Sequence, residues 1–425
     1  MTWLQRHRLR RFLRSSLWIT PVACLTAALV TAPLIRRLDA ATGWMVFGFG
    51  PDGARALLAA LVSATFTCIV FVFTILLLVV QIASAQLTPR IIAGALANRV
   101  TQVCLGVFAF TLIYGLAVLG RIDDSVPQLG LALAVVLSMS TIVIFVYLVA
   151  YLGENLRPVR VLTLVGDRAA EVIEHVYPHL LDGSEAPGPS AETPSTPLTQ
   201  TVQLSGESGV VLALDVAALR ALAEREDCII EVAPQVGDFV ARGDALFNIY
   251  GGARRLDDRV LGCIALGAER AAEQDPAFGF RIVVDIGIKA LSPAINDPTT
   301  AVLALDQLHH LLRKVGLRQL DMGVVRDCEG RVRLIYRTPD WEDFVELAVT
   351  EIRQYGVESL QVARRLRAML ENLIANLPPA RTAVLQRELI LLEQSVSVAF
   401  GNADDRACAS QPDSQGVGGY SRAAH

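Results

Sequence analysis

The chain of 425 residues is 53% hydrophobic and only 19% charged, and its apolar residues are concentrated in the first third. A net charge of −4 and a pI near 5.9 give no basic surplus of the kind that nucleic-acid-binding proteins carry. Its seven cysteines show no paired spacing, which argues against a disulfide framework or a zinc site. We therefore expect an α-helical integral membrane protein with no nucleic-acid partner, no cofactor and no bound metal.

Four charge-free apolar runs lie within the first 153 residues, and each is long enough to form one transmembrane helix. A basic segment, residues 6–14, precedes the first run, as it would in a signal peptide. The run is too long for a signal-peptide core, however, and arginines follow it, so we expect a retained helix. The predicted spans are about 16–36, 56–84, 101–120 and 128–152.

The arginines at the ends of the runs predict the orientation of the helices. Ten arginines flank one side of the four runs and four flank the other. By the positive-inside rule the first side is cytoplasmic, which places both termini and everything after Glu154 in the cytosol. None of the four runs contains an acid, a base or a histidine, which argues against a proton-coupled pump.

The second run is the most distinctive stretch of the chain. Residues 56–89 are uncharged and would form a helix of about 50 Å, longer than the hydrocarbon core of a bilayer. Its polar residues recur mainly at seven-residue steps, which return to within about 20° of the same helix face. This polar stripe either lines a pore in an oligomer or hydrogen-bonds neighbouring helices. It comprises Ser63, Thr67, Thr74, Gln81, Ser84 and Thr88.

A connecting helix over 154–182 and a flexible Pro/Ser-rich linker over 183–200 are predicted next. Within the helix, Glu171, His175 and His179 have a spacing that could hold a metal ion. Pro178 ends the regular helix between the two histidines, so a solvated face is the favoured interpretation.

Residues 201–252 have the alternation and paired glycines of a β-rich module. The pattern VxxxxGDxVxxGxxLxxI, from Val232 to Ile249, resembles half of a biotinyl/lipoyl-type barrel-sandwich. Carrier versions of that fold display a modified lysine, but no lysine occurs between 201 and 250. The resemblance therefore implies a structural or docking module rather than a swinging arm.

The remainder is predicted to be a mainly helical domain over 253–400, with a hairpin near 323–337 and a disordered tail over 401–425. An apolar helical face is expected from Val260 to Ala268. A later helix should break at Ser292-Pro293, and a new one should begin at an Asn296 or Asp297 cap.

Polar residues cluster around this helix start and could form a pocket in the C-terminal region. The hydroxyls and helix amides would favour an anion, whereas the Asp297 carboxylate would favour a cation, and the sequence leaves both open. The competing interpretation is a surface ladder of helical ion pairs. The candidate residues are Arg281, Asp285, Lys289, Ser292, Asn296, Asp297, Thr299 and Thr300.

Two segments of the sequence resemble those of a known protein family. DIGIKALSPAINDPTTA, from Asp285 to Ala301, and QIASAQLTPR, from Gln81 to Arg90, resemble the bacterial membrane proteins of the domain of unknown function 2254 family. The resemblance covers nearly the whole chain. It implies four spans followed by a cytosolic region, and a location in the bacterial inner membrane, but it implies no activity. The strand and helix patterns above predict that this cytosolic region is α+β.

No signature of a known enzyme class occurs in the chain, since HExxH, GxSxG, GxxxxGK[ST] and CxxC are all missing. We therefore expect a protein that is not an enzyme. The leading hypothesis is a channel-like homo-oligomer whose cytosolic domain gates or regulates it. The alternative is a membrane-anchored sensor or scaffold whose cytosolic domain binds a small ligand, an ion or a protein partner.

Overall fold

The computed structural model describes residues 18–42, 48–86, 99–122, 126–155, 157–181, 196–252, 255–270, 274–320 and 323–418. The chain divides into two compact units, one ending at Arg160 and the other starting at Val161. We call them the membrane unit and the C-terminal unit.

Among its described residues the membrane unit contains four helices that are long and apolar enough to cross a membrane, which confirms the predicted number. A helix is favoured in such apolar stretches because lipid offers no hydrogen-bond partner, so every backbone group must be satisfied within the segment. The helices are α1 (Ile19–Thr42), α2 (Pro51–Gln86), α3 (Arg99–Leu119) and α4 (Gln128–Asn155).

Helices α1 and α2 extend beyond the spans predicted from the charge-free runs. The prediction ended the first span at residue 36, whereas α1 continues through Arg37 to Thr42. Charged residues limit the length of helix that can lie within the lipid. Arginine is a good helix former, however, so the backbone helix continues past it. Helix α2 starts at Pro51, where the missing N–H of proline costs no hydrogen bond.

Helix α3 packs against the other three helices of the membrane unit. Two glycines let it approach its neighbours closely. A Cβ atom at Gly106 would lie 2.8 Å from Cys24 Sγ on α1, and one at Gly115 would lie 2.9 Å from Val62 Cγ2 on α2. Small residues at such crossings are typical of helix packing in membranes, where close backbone approach supplies much of the attraction.

Polar contacts tie the helix ends together at one side of this unit. Asp39 Oδ1 accepts a hydrogen bond of 2.9 Å from the backbone N–H of Leu129, in the first turn of α4. Arg55 Nε donates to the carbonyl of Ile122 at 3.0 Å. Both bonds satisfy backbone groups that helix ends and turns leave without a partner.

The C-terminal unit begins within α5 (Pro158–Val176), and its described residues form two sheets. Helices α6 (Val216–Arg225) and α7 (Asp257–Leu261) lie between its strands in the chain. The strands are β1 (Leu198–Gln203), β2 (Gly209–Leu214), β3 (Cys228–Val232), β4 (Phe239–Val240), β5 (Ala245–Gly251), β6 (Ile264–Gly267), β7 (Val324–Arg326) and β8 (Val332–Ile335). One sheet has the order β1-β5-β3-β8-β7 and the other the order β4-β2-β6.

Two Gly-Asp pairs form the turns expected from the barrel-sandwich-like pattern. Gly237 and Gly243 adopt φ values of +97° and +96°, which side chains with a Cβ rarely adopt. The aspartate after each glycine closes the turn. Asp238 Oδ2 accepts from the N–H of Gln235, and Asp244 Oδ2 accepts from the N–H of Ala241, both at 2.8 Å. The alternate apolar residues of β3 and β5 fill one buried core.

The β region is larger than the predicted 201–252 module. Strand β1 begins at Leu198, inside the predicted linker, whose residues 183–195 lie outside the described part of the chain. Residues 264–267 form a strand paired with β2, not the end of a helical face. Short apolar runs look alike in strands and helices, so periodicity alone misassigned them.

The predicted hairpin forms, but it belongs to the five-stranded sheet rather than to the helices. Strand β8 pairs in parallel with β3, where Ile230 lies opposite Leu334. About 100 residues of chain separate these partners, and no local pattern predicts pairing over such a distance.

The longer helices of the C-terminal unit lie on either side of this hairpin in the chain. Helices α8 (Pro276–Ala290) and α9 (Pro298–Gly316) precede it, and α10 (Trp341–Gly356), α11 (Leu360–Asn376) and α12 (Thr382–Ala399) follow it. Three of them begin with an aspartate that accepts a hydrogen bond from a first-turn amide, namely Asp275, Asp297 and Asp340. The two predicted candidates for the cap of α9 are thereby resolved in favour of Asp297.

The prediction of disorder over 401–425 is wrong for residues 401–418. Helix α13 (Ala403–Ala409) leads into residues 410–418, which we call the C-terminal strap. The buried carboxylate of Asp413 accepts hydrogen bonds from three backbone amides of the strap. The buried Arg364 of α11 donates to the carbonyls of Gln411 and Gly418. These buried contacts order a segment of low-complexity composition; residues 419–425 lie outside the described part.

Candidate functional site

The polar stripe of α2 lies on the outward side of its helix. Ser63, Thr67, Thr74 and Gln81 are all exposed in the single chain. The side chain of Ser84 is not among those described, and Thr88 lies outside the described residues.

The packing face of α2 is a different seven-residue series: Leu58, Thr65, Val72 and Val79, all buried against the rest of the unit. Thr65 precedes Thr67 by two positions, and two positions correspond to about 200° around a helix. The stripe is therefore nearly opposite the packing face. The four described residues of the stripe therefore do not pack against the described helices of the same chain, which was one of the two roles expected for the stripe.

Two threonine hydroxyls of the stripe are satisfied by their own helix. Thr67 Oγ1 donates to the carbonyl of Ser63, and Thr74 Oγ1 donates to the carbonyl of Val70, both at 2.9 Å. Such bonds let a threonine face lipid or a partner at small cost, because its donor is already used. Exposed phenylalanines flank the stripe at Phe66 and Phe73.

The charged part of the second candidate site is an ion-pair network that links two helices. Arg281 Nε donates to Asp285 Oδ1 at 2.6 Å along α8. Its two terminal nitrogens reach the two carboxylate oxygens of Glu351 on α10, at 2.7 and 2.9 Å. The hydrogen bond from Arg281 lowers the pKa of Glu351, and the bond from Glu351 raises the pKa of Arg281.

Glu351 was not among the predicted residues. It lies 70 positions after Arg281 within an ordinary amphipathic helix, so no spacing in the sequence links the two. The bidentate geometry matches the planar guanidinium fork to a carboxylate and fixes the register of α8 against α10. This arrangement uses the charge of Arg281 to join helices.

The loop between α8 and α9 closes on its own polar groups. Ser292 Oγ donates to the carbonyl of Lys289 at 2.7 Å, and the N–H of Asp297 donates to the carbonyl of Ala290 at 2.8 Å. The exposed residue Asn296 adopts a φ of +47°, which lets the chain change direction between the two helices. The predicted loop residues are thus brought together as a tight connection.

The N-terminus of α9 is capped by the side chain of Asp297. The Asp297 carboxylate accepts from the N–H of Thr300 at 3.1 Å and from its hydroxyl at 2.5 Å. A carboxylate in this position takes the place that a bound anion would take at a helix N-terminus. Thr299 is exposed beside it.

The described part of the chain contains no cluster of metal-binding side chains. No group of three or more His, Cys, Asp or Glu side chains lies close enough there to hold an ion. Helix α5 ends at Val176, before Pro178, so Glu171, His175 and His179 do not share one continuous helical face.

Comparisons with known proteins agree with the architecture. The chain is 26% identical over 422 residues to Uncharacterized protein Rv1290c of Mycobacterium tuberculosis and to Uncharacterized protein Mb1321c of Mycobacterium bovis. Each alignment covers 95% of this chain and 80% of the relative. No solved structure matches the chain. The family described as "Predicted membrane protein (DUF2254)" matches residues 14–372. The chain belongs to this DUF2254 family of membrane proteins.

Proposed function

We propose that this protein is a channel-like homo-oligomer of the bacterial inner membrane. Helix α2 of each copy faces a shared axis, and the stripe of Ser63, Thr67, Thr74 and Gln81 lines the pathway. Both termini lie in the cytoplasm, and the C-terminal unit regulates the pathway from that side. The protein is not an enzyme, and no nucleic acid takes part.

The observation that carries this proposal is the exposure of an uncharged polar stripe on a membrane helix. From Ser63 to Gln81 the stripe rises about 27 Å, close to the thickness of the hydrocarbon core. A face that the described helices of the chain leave open over this whole depth suits a neighbouring copy or an aqueous pathway. Lipid acyl chains form no hydrogen bonds with the hydroxyl and amide groups of the stripe.

The arginine distribution supports the orientation. Arg99 starts α3, and Arg157 and Arg160 follow α4, so three arginines lie at one end of these two helices. Basic residues accumulate on the cytoplasmic side of membrane helices.

The geometry does not favour the alternative role as a ligand sensor. The groups expected to form its pocket pair with one another: Arg281 with Asp285 and Glu351, and Asp297 with Thr300. A sensor would require these groups to open toward a ligand.

Recording of single channels from the purified protein in planar bilayers tests the proposal. We expect ion conductance, and we expect Thr74→Val and Gln81→Leu to lower it, because apolar groups in a narrow pore favour its dewetting. Thr31→Val is the matched control, since Thr31 of α1 makes the same bond to the carbonyl four residues earlier, at 2.8 Å.

Two results would overturn the proposal. The first is a monomer in mild detergent, because four helices of one chain cannot surround an axis lined by α2 alone. The second is the lack of any conductance under all applied potentials and membrane tensions.

A further inference from the structure

A groove of about 360 Å³ lies on the outer surface of the membrane unit, between α3 and α4. Its walls are almost entirely apolar and come from side chains one turn apart on each helix. They include Val100, Val103 and Val107 of α3 and Ile144 of α4. Arg99, Cys104 and Tyr147 complete the lining.

The groove has a polar and an apolar end. Arg99 is the first residue of α3, and the walls then continue along α3 to Val107, two turns deeper. Tyr147 is 54% exposed, and its ring stacks on that of Tyr151 with centroids 6.0 Å apart. Tyrosines in such pairs are typical of the headgroup level of a membrane, where one side of the ring is apolar and the hydroxyl is wet.

The polar end carries a net positive charge. Helix α4 runs opposite to α3, so the residues after α4 lie at the same end as Arg99. Arg157 and Arg160 are both exposed there. Glu154 is the acidic residue of this segment, which leaves a surplus of two positive charges among these four groups.

We propose that this groove binds an anionic phospholipid, with one acyl chain along the valines and the phosphate at Arg99. The apolar walls match an acyl chain, which makes no hydrogen bonds. The arginines match a headgroup of net negative charge better than a zwitterionic one. Basic pockets between membrane helices are known to select anionic headgroups for this reason.

Native mass spectrometry of the full-length protein tests the proposal. The protein is reconstituted in bilayers of equal phosphatidylglycerol and phosphatidylcholine and released into mild detergent, and the retained lipids are counted. We expect retention of phosphatidylglycerol. Arg99→Gln should lower it about fivefold, the effect of one arginine near a membrane surface. Arg121→Gln is the matched control, because Arg121 is exposed just beyond the other end of α3.

A second variant separates the acyl chain from the headgroup. Val107→Trp fills the deep end of the groove without changing any charge, and it should also release the lipid. Soluble glycerol 3-phosphate should not compete, because it has the charge but no chain. Each variant must elute as the wild-type protein does and melt at a similar temperature.

Three outcomes would overturn the proposal. The first is equal retention of phosphatidylcholine and phosphatidylglycerol. The second is unchanged retention in both Arg99→Gln and Val107→Trp. The third is displacement of the bound lipid by glycerol 3-phosphate, which would show a phosphate site that does not use the groove.

Discussion

The C-terminal strap depends on one buried carboxylate, and its removal should release the segment. Asp413 Oδ1 accepts from the amides of Gln415 and Gly416, each at 3.0 Å, and Oδ2 accepts from the amide of Gly418 at 2.8 Å. The side chain is only 2% exposed. Asp413→Ala therefore removes three hydrogen bonds to a charged acceptor and leaves their donors turned inward.

The size of the effect follows from these bonds. A hydrogen bond to a charged group contributes about 1.5–3 kcal/mol, but the strap can let water in once it loosens, so the full sum will not be lost. We take about 3 kcal/mol as the loss in the free energy of strap opening, which corresponds to roughly 150-fold faster amide exchange. Detachment would also remove the Gln411 and Gly418 carbonyls from Arg364.

Hydrogen exchange of the full-length protein, read over residues 410–418, measures this directly. Asp405→Ala is the control, because Asp405 is an exposed residue of α13 that precedes the strap. It should change exchange in the strap by less than about twofold, in line with the small effects of exposed substitutions. Exchange at unprotected rates in the wild-type strap, or unchanged exchange in Asp413→Ala, would refute this account of how the strap is held.

Two further predictions concern the turns of the C-terminal unit. Gly243→Ala should cost about 1 kcal/mol of unfolding free energy, because φ is +96° but the space beside it is open. Gly237→Ala should cost more, because its Cβ would lie 2.2 Å from Nη2 of Arg270 and would displace a guanidinium that donates to the buried Asp275 at 2.6 Å. Equal denaturation midpoints for the two variants would contradict this. In the hairpin, burial opposes ionisation of Asp327, but hydrogen bonds from the Arg331 amide and the Arg333 guanidinium lower its pKa to about 2. Asp327 thus stabilises the fold above its unfolded pKa of about 3.9, and this contribution is lost as the pH falls through 2. Arg333→Gln should raise that pKa in carboxyl NMR, and an unchanged titration would refute the assignment.

The features that could be predicted from the sequence are those that a short stretch determines. Twenty or more apolar residues without charge can satisfy their backbone in lipid only as a helix, so the four membrane helices followed directly. An aspartate followed by proline, as at 297–298, marks a helix start through one side chain and one ring. The turns at Gly237 and Gly243 depended on the same kind of local chemistry.

The features that could not be predicted depend on partners far away in the chain. Nothing near Arg281 indicates that Glu351 will meet both of its terminal nitrogens. The strap has the Ser, Gly and Gln content of a disordered segment, and its order comes from burial of Asp413 and Arg364. The composition of a segment indicates only the average free-energy cost of ordering it. A few buried groups whose hydrogen bonds are all satisfied can offset that cost.

Helix α2 shows why the direction of a membrane helix face is hard to infer from residue type. Thr65 is buried and Thr67 is exposed, although both donate their hydroxyl to the carbonyl four residues earlier. In water the more polar face would be the outer one, but lipid is as apolar as a protein core and removes that criterion. Close packing instead determines which face of α2 is buried. Helix α3 approaches α2 closely where Gly115 lies against Val62.

Gln81 is the stripe residue that bears most strongly on what this outward face meets. A threonine can satisfy its hydroxyl from its own helix, as Thr67 and Thr74 do. The amide of glutamine has two N–H donors as well as an acceptor, so burial in hydrocarbon would cost it more than it costs a back-bonded hydroxyl. An exposed glutamine in register with the threonines is therefore better matched to water or to a second copy of α2 than to lipid. This is the physical reason for placing the axis of the proposed oligomer on the stripe rather than on the apolar faces beside it.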